Sequence, residues 1–333
     1  MRRNVIYIVL ALMFFAVGYF ISRIKFNPTE EYHRTRILMG TVVEIKVRNE
    51  NEEKSIKAIE EAFKEIKRID DLFSTYNPDS PISKINNTRD TLITVDPEIY
   101  ELMVICDSIR QLTAGAFDVS LNNLLTTWGF DGDDPKVPEK VEIKTALIKS
   151  GWGNISLMRN NKFNLSSNVG LNFGAITKGY AVERAIKILK RNSITNALVN
   201  AGGEIKTIDN DWIIGIQHPR IPNQIIEKIK PNKFSVATSG DYEKYFEIEG
   251  KRYHHILNPE TGYPADSLIS VTILHKDCTM ADALATAVFV LGPVKGLNFV
   301  EGSPDTEVMM INTEGTVKYS NGFNKFILKD QEN

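Results

Sequence analysis

The chain has 333 residues, 42% of them hydrophobic and 25% charged, enough for a sizeable core and inconsistent with a disordered or collagen-like chain. Lys and Arg total 40 against 42 Asp and Glu, a net charge of -2, so the basic surplus of a nucleic-acid binder is missing and no nucleic-acid partner is expected. Cys106 and Cys278 are too few for a disulfide scaffold, lack metal-ligand spacing, and read as buried apolar residues.

From Asn4 to Ser22 no residue carries a charge (NVIYIVLALMFFAVGYFIS), and Arg2, Arg3, Arg23 and Lys25 flank the run. As a helix it would span about 28 Å, enough for the hydrocarbon of a bilayer. Residues 1–25 are expected to be a membrane anchor or signal sequence. The apolar run continues through Tyr19, Phe20 and Ile21, past the small-residue stretch Ala16-Val17-Gly18, which favours a retained single span over cleavage. Arg2 and Arg3 favour an inside N-terminus, leaving the rest of the chain outside the cytoplasm. Residues 26–36 are polar, include Pro28, and read as a tether.

Beyond the tether, Thr41, Val43, Ile45 and Val47 alternate with other residues, the period of a half-buried strand. Ile56, Ile59, Phe63, Ile66 and Ile69 recur at three or four and predict an amphipathic helix from Glu52 to Phe73. Asp96 as cap and Pro97 at the first position predict a helix through Leu112. Residues 131–139 read as a surface loop, and a helix is expected from Thr177 to Arg191. Strand-like segments follow at Ala197–Asn200, Trp212–Ile216, Phe234–Ala237, Tyr245–Ile248 and Leu268–Leu274, with a hairpin turn at Glu249-Gly250. A last helix, Asp277 to Leu291, is expected to stop at Gly292-Pro293. Strands and helices without regular βαβ alternation predict an α+β fold, one compact catalytic domain over 37–330 with a mainly antiparallel sheet and packed helices.

Asp282 and Thr286 stand four apart in an otherwise apolar helix, so their oxygens share one face. A buried carboxylate needs a partner, and hard oxygens of this kind suit Mg²⁺; a helix cap and a backbone-bonded Thr are the alternative. In NFGAITKGYAVERA, Gly174 and Gly179 flank Lys178 where a loop enters a helix, a place that attracts phosphate, although the Walker A order is missing. Asn200-Ala201-Gly202-Gly203-Glu204 permits close ligand approach or is simply a tight turn. Adjacent His254 and His255 point to opposite faces, so at most one shares a site. Tyr76 and the Gly115–Asp118 turn each carry an aromatic residue close to a carboxylate.

Taken together and in order, MGTVVEIKV at 39, FSTYNPDSPISKIN at 73, GAFDVS at 115, NFGAITKGYAVE at 172, ALVNAGGEI at 197, ATSGDYEKYFE at 237, YHHILNPETGYP at 253 and MADALATAVFVLG at 280 resemble the FAD:protein FMN transferase (ApbE-like) family across about residues 37 to 327. The resemblance implies Mg²⁺-dependent transfer of FMN from FAD, as substrate, onto a Thr or Ser of a target flavoprotein, with AMP released. The acceptor implied is a subunit of a membrane redox complex, and the setting is a bacterial inner membrane with the catalytic domain on its periplasmic side. It further implies FAD contacts at Met39, Tyr76, Ala116, Phe117, Asp118, Asn172, Lys178 and Ile256, and metal ligands at Asp282, Thr286 and the backbone carbonyl of Ala175. His255 matches the histidine expected to act as general base, with Asp118 the other catalytic candidate. Two positions depart from the family pattern: Asn172 and Glu183 stand where many members carry Asp. Splitting of FAD by water and non-catalytic FAD binding are the alternative functions.

Overall fold

The computed structural model describes residues 29–328 apart from 89, 90, 133, 167 and 210; the expected membrane helix lies outside the described residues. Strands β1 (Glu30–Leu38) and β2 (Thr41–Asn49) form a hairpin whose turn residues, Met39 and Gly40, both have positive φ (54° and 69°), the turn geometry that follows strand twist. The sheet continues with β3 (Ala197–Ala201), β4 (Glu204–Thr207), β5 (Ser235–Gly240), β6 (Leu268–His275), β7 (Thr306–Asn312) and β8 (Val317–Tyr319). These eight strands lie side by side in chain order, and each neighbouring pair is antiparallel. The expected α+β domain is therefore found.

The stretch read as a tether is corrected: from Glu30 onward it is strand β1. An edge strand facing water needs no apolar alternation, and its polar side chains find partners instead, Glu31 with Arg48 at 2.9 Å and Arg36 with Glu60 at 2.6 Å.

Four long helices complete the main layers: α1 (Glu52–Phe73), α2 (Pro97–Leu112), α3 (Thr177–Arg191) and α4 (Cys278–Glu301). The caps are those the sequence predicts for α2, with Asp96 accepting from the Glu98 N–H at 2.8 Å, and α1 starts on the Asn51 side chain. Helices α1, α3 and α4 lie on one face of the sheet, where Val43, Ile45 and Val47 of β2 are fully buried. Both cysteines are buried there as expected. The expected stop of the last helix at Gly292-Pro293 is found, and a further segment follows it. Gly292 does leave helical geometry (φ 76°), but Pro293 opens a second helical segment that runs to Glu301. Proline is at home in a first helical turn, and Gly296 and Val300 bury the new segment's inner side. This helix is long and apolar enough to cross a membrane, yet half of its apolar window is buried within the protein, as befits a core helix.

On the opposite sheet face, Leu198, Val236, Ile269 and Met309 meet Trp212, Ile214 and Phe323 under a hairpin of Ile214–Gln217 and Ile225–Ile229. A satellite cluster of Leu124, Trp128, Phe130 and Ile143 seats the hairpin Tyr245–Ile248/Lys251–His254, with Phe246 stacked on Tyr253 at 5.4 Å. Glu249 and Gly250 turn it with φ of 52° and 76°. The register brings three connections to the same end of the sheet: Met39-Gly40, Gly202-Gly203 and the exit of β5 at Gly240. The candidate site is built at that end.

Candidate active site

Helix α3 grows out of the loop 172–176 without a side-chain cap. Asn172 shapes that loop: its N–H donates to the Val119 carbonyl (2.7 Å), its Oδ1 accepts from the Gly174 N–H (2.9 Å), and its Nδ2 donates to Asn122 Oδ1 (3.3 Å). An amide both donates and accepts here, a pattern that an ionised Asp could only half reproduce. One turn on, the Gly179 N–H donates to Asp282 Oδ2 at 2.8 Å, and the carbonyl of Ala175, four residues back, accepts no hydrogen bond among the described residues. Lys178 Nζ donates to Glu204 Oε1 at 2.7 Å and lies 4.0 Å from Asp282 Oδ1. On the next turn of α4, the Thr286 hydroxyl meets Ser239 Oγ of β5 at 3.2 Å. The structure thus brings Lys178, Asp282 and Thr286 to the end of the sheet, with Ala175 in the loop leading to Lys178.

The charges do not balance. Asp282 and Glu204 are almost wholly buried and, among the described residues, share the one cation of Lys178, while Glu204 Oε2 has no hydrogen-bond partner there. Burial raises the pKa of both acids, that of Glu204 well above the usual carboxylate range, and Lys178 only partly offsets this. Lys178 itself loses hydration, but Asp282 and then Glu204 outweigh that loss and keep the ammonium charged. Glu243 stands at the rim. The residue as a whole is exposed, yet protein surrounding its carboxylate pushes its pKa up to about 7, with Lys178 opposing and Asp282 adding.

A divalent cation fits this donor set. Asp282 Oδ1, the Ala175 carbonyl and the Thr286 hydroxyl offer hard oxygens, and Glu204 Oε2 is a buried oxygen nearby without a hydrogen-bond partner among the described residues. Among the described residues no cluster of three His, Cys, Asp or Glu side chains is placed to hold a metal.

The remaining residues divide between a linked group around His255 and Tyr76 and the buried interior. His255 Nδ1 lies 3.2 Å from the Lys244 carbonyl, and the Lys244 Nζ donates to the Tyr76 hydroxyl at 3.1 Å while lying 5.5 Å from its ring centre. Burial, then the neighbouring His254, lower the pKa of His255 to about 4, so its imidazole is neutral. Since a carbonyl can only accept, Nδ1 carries the proton and Nε2 is left with its lone pair. His254 is a structural residue, its Nε2 on the Ala265 carbonyl at 2.7 Å and its ring edge-on to Phe289. Met39 sits in the β1–β2 turn with its N–H on Asp70 Oδ2 (3.1 Å), and Ile256 is buried beside the histidines. Ala116 and Phe117 belong to the buried interior. Asp118 spends Oδ1 on the Ser120 N–H and hydroxyl and Oδ2 on the Trp152 N–H. That geometry fixes a loop. Asp241 is likewise engaged, bidentate with Arg220 at 2.7 and 2.6 Å.

A profile of the ApbE family matches residues 39–310. The chain belongs to the ApbE family. It is 32% identical over 316 residues to an FAD:protein FMN transferase from Vibrio cholerae, covering 91% of this chain and 95% of that protein. It is 31% identical to one from Klebsiella pneumoniae, with 84% of this chain and 89% of that one covered. Among solved structures, the ApbE protein of Thermotoga maritima superposes with a TM-score of 0.84 at 35% identity, spanning 90% of this chain and all of that one. The Vibrio cholerae flavin transferase ApbE follows at 0.79 and 28%, spanning 90% of this chain and all of that one.

Two members of the charged cluster, Glu204 and Glu243, are not among the residues the motifs single out as a site. The Gly-Gly preceding Glu204 signals a turn, but only the pairing of β3 with β4 carries its carboxylate to Lys178, some distance away in sequence.

Proposed function

We propose that this chain transfers FMN from FAD to a Thr or Ser hydroxyl of a target flavoprotein, releasing AMP and using Mg²⁺. The observation that carries the reading is the buried pair Asp282 and Glu204 sharing one lysine, with Gly179 and Lys178 at the head of a helix beside them. That arrangement suits a diphosphate held with a divalent cation, which either component alone would fit poorly. Asp282, Thr286 and the Ala175 carbonyl would hold Mg²⁺, whose contribution is to neutralise charge on the diphosphate as it is cleaved. Lys178 holds and orients the phosphates. His255 accepts the acceptor hydroxyl's proton at Nε2, its Nδ1–H fixed on the Lys244 carbonyl. Tyr76 offers an exposed ring at the rim for the flavin.

The attacking hydroxyl oxygen forms a bond to the FMN phosphorus, the bond to the AMP-side bridging oxygen breaks, and AMP departs with that oxygen. The test incubates the chain with FAD, Mg²⁺ and a candidate flavoprotein acceptor. Covalent flavin fluorescence on the denatured acceptor supports transfer. Free FMN without it supports hydrolysis instead, and unchanged FAD supports mere binding. We further propose that the uncharged run between Asn4 and Ser22 anchors the catalytic domain on the extracytoplasmic side of the membrane; protease accessibility in sealed vesicles tests the side.

A further inference from the structure

Two ion pairs of opposite sense join α3 to β4. Lys178 of the helix meets Glu204 of the strand at 2.7 Å, and Glu183 of the helix meets Lys206 of the strand at 2.6 Å. Glu204 and Lys206 are two apart on the strand, so they point to the same sheet face. Five residues of helix rise about 7.5 Å and two of strand about 6.6 Å, so both pairs close in one register. Sliding α3 along β4 by that distance would bring Lys178 to Lys206, or Glu183 to Glu204, like charge against like.

The second pair also grips the start of α4. Glu183 Oε2 accepts the Cys278 N–H at 3.1 Å, and Lys206 Nζ donates to the Lys276 carbonyl at 2.8 Å. Cys278 opens α4, and its carbonyl lies against Gly179, where a Cβ would come within 2.2 Å of it. Gly179 and Glu183 stand one turn apart, so one face of α3 meets Cys278 from both its N–H and its carbonyl side. Asp282 follows Cys278 by one turn and Thr286 by two. A shift of that first turn would move both oxygens together relative to Lys178. A buried ion pair is weak evidence for stability, and fixing register is its best-attested use.

We propose that Glu183 and Lys206 are positioning residues for the diphosphate site: their pair fixes the entry of α4 against α3 and so sets the spacing of Asp282 and Thr286 from Lys178. The inference rests on the reading of Mg²⁺ and FAD as the ligands of those three residues, but it is measured by binding rather than by catalysis.

The readouts are equilibrium binding of FAD to the full chain, with and without Mg²⁺, and the melting temperature. Glu183→Gln keeps an oxygen for the Cys278 N–H and the Lys206 ammonium while losing the charge. Glu183→Leu combined with Lys206→Met replaces the pair by apolar side chains, a change that folds tolerate, and releases Cys278. The Gln variant is expected to melt below wild type and yet bind FAD with Mg²⁺ within threefold of it. The double variant is expected to melt near wild type and lose at least tenfold in FAD affinity with Mg²⁺, the loss shrinking below threefold without the metal. Unchanged FAD affinity in the double variant would overturn the positioning role and leave the transferase reading standing. Equal losses in the Gln and double variants would overturn it too, since charge rather than the held backbone would then govern binding. A loss confined to the double variant, in a chain that moves no flavin onto any flavoprotein acceptor, would keep the positioning role and remove the transferase reading.

Discussion

Gly179 and Asp282 are in direct backbone-to-carboxylate contact, and no side chain fits between them. The Gly179 N–H donates to Asp282 Oδ2 at 2.8 Å, and a Cβ at position 179 would lie 2.2 Å from the Cys278 carbonyl oxygen and 2.6 Å from the Asp282 Cβ. Because these are backbone and near-backbone atoms, the clash cannot be relieved by a rotamer change. Gly179→Ala must push α3 away from α4. Overpacking of this kind costs about 1–3 kcal/mol. The expected result is a lower melting temperature together with loss of transfer, since the shift separates Lys178 from Asp282. Wild-type activity in that variant would show that their spacing is not critical.

Asp282→Asn separates the metal from the fold. An Asn oxygen can still accept the Gly179 N–H, while the buried charge is gone, so stability without metal is expected to match or exceed wild type. Transfer is expected to fall more than a hundredfold. Adding Mg²⁺ at about a hundred times its Kd should stabilise the wild type by about 2.7 kcal/mol and leave this variant unmoved. Equal Mg²⁺-induced shifts in the two melting curves would place the cation elsewhere.

Lys178 is the only cation paired with Asp282 and Glu204 in the described structure, so Lys178→Met leaves two buried carboxylates facing each other. Breaking a buried pair from one side costs about 3–5 kcal/mol. Both acids already have raised pKa values, and removing the lysine raises them further. The folded state then holds protons that the unfolded chain has released, so the deficit is largest above the folded pKa values and shrinks as pH falls toward the ordinary carboxylate range. Urea unfolding at pH 5 and pH 8 is expected to show the greater loss at pH 8. Adding Glu204→Gln should recover part of it at both.

The sequence discloses most of the sheet and the long helices because their apolar residues repeat at the period of each element: Val43, Ile45 and Val47 along a strand, Ile59, Phe63 and Ile66 along a helix. It does not disclose β1, whose inward contacts are few and whose stability comes from pairing with β2 and from ion pairs. Nor does it disclose that Pro293 restarts a helix, because a Gly-Pro stop looks the same whether or not apolar residues beyond it find a core. At the site, Asp282 and Thr286 are legible from their spacing on one helix. Glu204 is not: it reaches Lys178 through the pairing of β3 with β4, and no local pattern records that. The three hydrogen bonds of Asp118 are likewise absent from any local pattern, because Trp152 reaches it from a distant segment.

Two groups at the rim could take the acceptor's proton, and they titrate in different ranges. Burial and His254 hold His255 down to about 4, while Glu243 is pushed up to about 7. A general base works only when deprotonated, and kcat/KM reports the free enzyme, so activity rises with pH through the pKa of whichever group acts. With His255 as base, the acid limb of kcat/KM for the acceptor is expected well below 7, toward 4, and Glu243→Gln should leave it in place. His255→Ala is expected to lower kcat by about 10²–10⁴-fold with FAD binding retained. A limb near 7 that disappears in Glu243→Gln would transfer the role to the glutamate. The geometry favours the histidine, because its Nδ1 is fixed by the Lys244 carbonyl and its Nε2 is left to accept.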